Sequence, residues 1–153
     1  MNITVISVGK IKEKYFTAAI DEYSKRLSRF AKLNIIEVAD EKIPDNASEK
    51  EMEQIKEKEG NKILAKLPQN SFVVTLCIEG KEYSSEELAK KIADISMTSS
   101  HITFIIGGSL GLSDTVKSKS ALRLSFGKMT LPHQLMRVVL LEQIYRAFKI
   151  NNN

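Results

Sequence analysis

The chain has little that could staple it or ligate a metal. A single cysteine, Cys77, excludes an internal disulfide and points to a reducing, cytoplasmic setting. Two histidines and that one cysteine, far apart in sequence, exclude an ordinary structural zinc site, so no metal is expected. No apolar run approaches the ~18 residues of a membrane span. The opening Met-Asn-Ile-Thr-Val-Ile-Ser-Val-Gly is too short for a signal sequence and has no basic lead, so no membrane partner is expected. Proline is scarce: Pro44, Pro68 and Pro132 are the three, and nothing after Pro132 would break a helix. Low-complexity stretches, linkers and internal repeats are absent. The 153 residues therefore read as one domain, 1–153, able to bury its own core.

Hydrophobic content of 42% and charged content of 27% belong to an ordinary soluble protein. The net charge of +4 is unevenly spread. Residues 1–32 carry seven Lys/Arg against three acids, residues 37–59 nine acids against four lysines, and residues 113–149 seven basic residues against two acids. A phosphate-rich partner would favour the two basic ends.

Apolar patterning predicts strands at Ile3–Val8, Leu33–Ala39, Phe72–Ile78, Ile102–Ile106 and Ala121–Phe126. Phe72–Ile78 is the strongest of these and is expected at the centre of the sheet. Helices are predicted over Lys14–Arg29, after Ser48 to about Leu67, and after Ser84, with a short one following the glycine loop. Ser48 with Glu51 and Ser84 with Glu87 form capping boxes, and the thin stripe of the second helix makes it peripheral. Strand and helix thus alternate with near-continuous apolar strands, the pattern of an α/β fold with a mainly parallel sheet and helices on both faces. Ligands of such sheets bind beyond the carboxyl ends of the strands. Those ends are Gly9, Ile78–Gly80, Gly107-Gly108 and Phe126-Gly127, rich in the residue that lets a ligand approach backbone.

Gly107-Gly108-Ser109-Leu110-Gly111 is neither G-x-G-x-x-G nor a Walker A loop, which disfavours a dinucleotide enzyme or a phosphate-cradling NTPase. Cys77 reads as a small core residue and His101 as an exposed bystander. The last helix, with Pro132 as its first residue, is apolar almost all round: Leu135, Met136, Val138, Val139, Leu140, Leu141, Ile144 and Phe148 leave no broad polar face. Such a helix must bury one side on its own sheet and another on a second copy. His133 and Arg137 share one line on it, and Glu142 and Arg146 another. The second pair is either a helix-surface ion pair or a charged strip lining a cleft.

FVVTLCIEGKEYSSEELA, FIIGGSLGL and LSFGKMTLPHQLMRVVLLEQIYRAFKI together resemble the SPOUT-class ribosomal RNA large-subunit methyltransferase H family. The opening ITVISVGKIKEKY and the segment IKEKEGNKIL extend the resemblance over essentially the whole chain. It implies a C-terminal deep trefoil knot, against the rule that chain connections do not thread, and a homodimer. It also implies S-adenosylmethionine as methyl donor, spent on N3 of a pseudouridine in 23S ribosomal RNA of the assembled ribosome. By resemblance, Leu76, Gly108, Gly127, Lys128, Met129, Thr130, Leu131 and Pro132 contact the cofactor. His133, Arg137 and Arg146 face the RNA, and Arg137, Glu142 and Arg146 carry the catalytic roles. The family's chains usually continue into a tail ending in Tyr-His and a basic residue, whereas this sequence stops at Asn151-Asn152-Asn153. If that tail holds the target base, this chain is expected to bind cofactor yet methylate poorly. The rival readings are a SPOUT methyltransferase acting on transfer RNA and a non-catalytic RNA-binding module.

Overall fold

The computed structural model describes residues 1–153. Five strands, β1 (Asn2–Val8), β2 (Lys32–Val38), β3 (Phe72–Glu82), β4 (His101–Ile106) and β5 (Leu122–Ser125), form one sheet of order β2-β1-β4-β3-β5. Every pairing is parallel. The helices are α1 (Lys14–Leu27), α2 (Glu49–Lys66), α3 (Ser85–Ser96), α4 (Asp114–Ser118) and α5 (His133–Asn151). Alternation along the strands sorts the core into two layers. Ile3, Val5, Phe104 and Ile106 pack with Leu27 of α1, Ile92 of α3 and Leu140, Leu141 and Ile144 of α5. Ile6, Val8, Ile105 and Val73 face the other way, onto Ile63 of α2 and Val116 of α4.

Both capping boxes form as expected: the Ser48 and Ser84 hydroxyls accept from the N–H of Glu51 and Glu87, whose carboxylates accept in return. Four expectations are corrected. The central strand is β4, with β3 beside it, because β1 and β3 both pair with β4. Pro132 is the N-cap of α5 rather than its first helical residue, since its ψ of 137 is extended. Pro132 has no capping oxygen, so the first N–H groups of α5 gain no side-chain acceptor. His101 is half-buried, its Nε2 lying 2.7 Å from the Thr4 hydroxyl on β1. The second helix is less peripheral than its thin stripe suggests, because Gly60 lets α4 approach: a Cβ there would lie 2.5 Å from Ser113 Oγ.

β3 also runs past Ile78. Both Leu76 and Lys81 pair with Leu124, so Cys77–Gly80 bulge out of register at the carboxyl end of the sheet. Gly80 makes this possible, since a Cβ there would stand 2.7 Å from the Arg123 carbonyl. From edge strand β5 the chain then returns to place α5 against α1 and α3, crossing the carboxyl ends of the inner strands.

Candidate active site

That crossing closes a cavity of about 660 Å³ beyond the carboxyl ends of β3, β4 and β5. Its walls are Leu76–Ile78, where β3 enters its bulge, Gly107–Gly111, and Phe126–Pro132 leading into α5. Ser125 ties two of them together. Its hydroxyl donates to the Ile78 carbonyl (2.9 Å) and accepts from the Gly127 N–H (3.0 Å). Gly127 turns the chain with φ +114, a conformation that a side chain would strain. In the glycine loop, the Gly111 N–H closes a turn onto the Gly108 carbonyl (3.0 Å), and a Cβ on Gly107 would stand 2.7 Å from Gly111.

Seven residues given a cofactor role by the resemblance line this one cavity: Leu76, Gly108, Gly127, Met129, Thr130, Leu131 and Pro132. Lys128 does not; it is exposed and lies outside the lining. No Lys, Arg, Asp or Glu belongs to the wall. Its one titratable group besides the Cys77 thiol is His133, which burial and the nearby Arg137 charge hold below the ordinary histidine range, with Asp40 opposing. His133 is therefore a neutral imidazole at pH 7. Sequence reasoning put Ile78 and Phe126 at the ligand-binding strand ends but missed Cys77 and Met136 as cavity residues. Met136 shares a helix face with Pro132 and was legible from i, i+4 spacing, but Cys77 reaches the cavity only through the bulge.

Arg137 is placed elsewhere than expected. It is 3% exposed and turned into the chain rather than toward an open cleft. Its Nη2 donates to the Val8 (2.7 Å) and Gly9 (2.8 Å) carbonyls, and its Nη1 to Glu37 Oε2 (2.7 Å). The cause is a three-way meeting of the β1 end, β2 and α5, where two strand-end carbonyls need a donor. Glu142 and Arg146 form the exposed i, i+4 ion pair, which holds the Arg146 guanidinium above its ordinary value. At 1.5 Å per residue they lie roughly 9 and roughly 15 Å up α5 from Met136, the last cavity-lining residue of the helix. A single chain thus brings the cofactor set and His133 together and leaves Glu142–Arg146 apart.

An open parallel sheet with a glycine-walled, mostly apolar cavity beyond its strand ends defines an α/β protein that binds a small organic cofactor. Residues 1–153 match the family described as "Predicted SPOUT methyltransferase", and the chain belongs to that family. Ribosomal RNA large subunit methyltransferase H of Clostridioides difficile (strain 630) is 60% identical over 153 residues, 99% of this chain and 96% of that protein. The protein of the same name from Clostridium novyi (strain NT) is 62% identical over 152 residues, again 99% and 96%. Among solved structures, a tRNA (m1G37) methyltransferase from Aquifex aeolicus aligns with a TM-score of 0.53 at 12% identity, over 95% of this chain and 70% of that one. A Legionella pneumophila protein in complex with the bound cofactor SAM gives 0.52 at 13%, over 96% and 66%. These two show the shared fold.

Family membership makes the chain a methyltransferase that uses S-adenosylmethionine, and the cavity suits that group. Its volume falls in the range of small-molecule sites, its loops offer backbone to an adenine, and no cationic side chain opposes a sulfonium.

Proposed function

We propose that this chain methylates N3 of a pseudouridine in 23S ribosomal RNA of the assembled ribosome, acting as a knotted homodimer. The observation that carries the reading is the cation-free, three-walled cavity at the start of α5. The names of relatives at 60% and 62% identity over nearly the whole chain point to large-subunit RNA as substrate. The basic stretch from 113 to 149 suits a polyanion.

When bound, S-adenosylmethionine supplies an electrophilic methyl group for an in-line displacement. The chain's own contribution is alignment. Leu76, Gly108, Gly127, Met129, Thr130, Leu131 and Pro132 hold the cofactor in the cleft, with Lys128 outside its lining. His133, neutral at the mouth, can accept a hydrogen bond from the incoming base without adding a positive charge. Arg137 works from behind, holding the first turns of α5 to the β1 end.

Glu142 and Arg146 are too far up α5 to serve the cavity of their own chain, and a second copy can bring them to it. Leu135, Val138 and Val139, at i, i+3 and i+4, are left half-buried on a face that continues into Glu142 and Arg146. Packing that stripe on its counterpart would carry the Arg146 of one protomer toward the base beside the cavity of the other. There it would bind phosphate or stabilise charge developing on the ring, with Glu142 as its orienting partner or as the base that takes the N3 proton.

The test is methyl transfer from labelled S-adenosylmethionine to ribosomes, free 23S RNA and transfer RNA, with the modified base mapped. Labelled N3 of a pseudouridine in ribosomes is expected. Transfer to transfer RNA alone, or cofactor binding without transfer to any RNA, refutes the assignment.

A further inference from the structure

A second cavity, of about 260 Å³, lies against the first and shares Gly108, Ser109, Leu110 and His133 with it. Its chemistry is the opposite. Asp40, Glu41 and Glu59 line it together with Lys42, whereas the larger cavity has no charged side chain. An RNA phosphate would be repelled here.

Glu59 is the unusual member. It is 6% exposed, and only one of its oxygens is hydrogen-bonded within the chain. Oε2 accepts from the Glu41 N–H at 3.0 Å, while Oε1 has no hydrogen-bond partner and stands 3.3 Å from where a Gly108 Cβ would lie. Burial pushes its pKa up, opposed by the hydrogen bond from the Glu41 N–H and helped by the Asp40 and Glu41 charges. That second oxygen is available to a donor entering the cavity that Glu59 lines. Glu41 is already paired with Lys62 (2.8 Å), but Asp40 and Lys42 have no ion-pair partner in the chain. One carboxylate and one ammonium without an ion-pair partner, and a largely buried Glu59 with one oxygen free to accept, thus line a small space that shares Gly108 and His133 with the cofactor cavity.

Resting on the cofactor reading above, we propose that this second cavity is the subsite for the amino-acid end of the cofactor. Asp40 and Glu59 take its ammonium group and Lys42 its carboxylate. The larger cavity holds the nucleoside and the sulfur, and the wall shared by the two, Gly108–Leu110 with His133, is where the ligand bends. Gly108 keeps that wall thin: a side chain would meet Val8 at 3.2 Å and Glu59 at 3.3 Å.

The test compares two ligands by calorimetry on the full chain. S-adenosylhomocysteine carries the amino-acid end; 5′-methylthioadenosine has the same nucleoside and sulfur without it. The wild type is expected to favour S-adenosylhomocysteine by about tenfold or more, equivalent to about 1.4 kcal/mol. Asp40→Asn, Glu59→Gln and Lys42→Ala should each shrink that preference several-fold while leaving 5′-methylthioadenosine affinity within about twofold. Asp40 and Lys42 are exposed, so their variants report even if Glu59→Gln disturbs folding. An unchanged preference in the Asp40 and Lys42 variants, or none in the wild type, overturns the subsite and leaves the cofactor cavity standing. Failure of both ligands to bind the wild type overturns the cofactor reading as well.

Discussion

Arg137→Ala should be among the most damaging single changes in α5, through folding rather than RNA contact. The guanidinium is 3% exposed and gives three charge-assisted hydrogen bonds, to Val8 O, Gly9 O and Glu37 Oε2, all between 2.7 and 2.8 Å. Glu37 keeps 36% of its side chain exposed and can rehydrate, so its loss of a partner costs little. The two carbonyls belong to buried residues and cannot. Each stranded acceptor costs about 1–3 kcal/mol, and the vacated side-chain volume adds to that. The sum is about 3–5 kcal/mol, the range seen when one member of a buried pair is removed. With a urea m-value of about 2 kcal/mol/M, the midpoint should fall by roughly 2 M, read at one fixed protomer concentration. Glu37→Gln, which leaves both carbonyl bonds intact, should cost only about 1 kcal/mol. If Arg137→Ala unfolds within 1 kcal/mol of wild type, the buried fork is not holding α5 to β1 and the reasoning fails.

Val139→Asp should shift sedimentation from dimer to monomer with the fold retained, because Val139 is only half-buried within the chain; an unchanged dimer refutes the α5 interface. Leu140→Asp, at a position with 0% exposure, should instead prevent folding, as seen by circular dichroism. Gly127→Ala should cost about 1–2 kcal/mol and weaken cofactor binding at least tenfold in calorimetry, since φ is +114 there. Mixed dimers pairing Gly127→Val in one chain with Arg146→Ala in the other should regain about half of wild-type turnover if each site draws on both chains, and stay inactive if it does not. Because His133 is held below its ordinary 6.5, folding favours its neutral form. Its contribution is therefore full above pH 6.5 and declines as pH falls toward the lowered value, and His133→Gln should flatten that part of the urea-midpoint profile.

What was legible in the sequence is what short-range physics controls. Both capping boxes, the alternation of apolar strands with amphipathic helices, and the glycines at strand ends need only neighbours a few residues away. They place the fold class and the cavity loops; the individual cofactor contacts came from the family resemblance, and seven of them line one cavity. Strand order was not legible, because β3 and β4 are both apolar runs and pairing between them spans distant segments. The Cys77–Gly80 bulge was hidden for the same reason: it arises from β5 pairing with β3 in two registers. Arg137 and Arg146 look alike on a helix apolar all round, which gives no cue to the buried side. Only the arrival of Glu37 and the Val8–Gly9 carbonyls, a hundred or more residues away in sequence, turns Arg137 inward and leaves Arg146 in solvent. In the sequence Glu59 is one of nine acids in the stretch 37–59, on a helix expected to be peripheral. Gly60 beside it lets α4 close in, and together with the Glu41 backbone and the glycine loop this makes Glu59 a buried carboxyl beside the cofactor cavity.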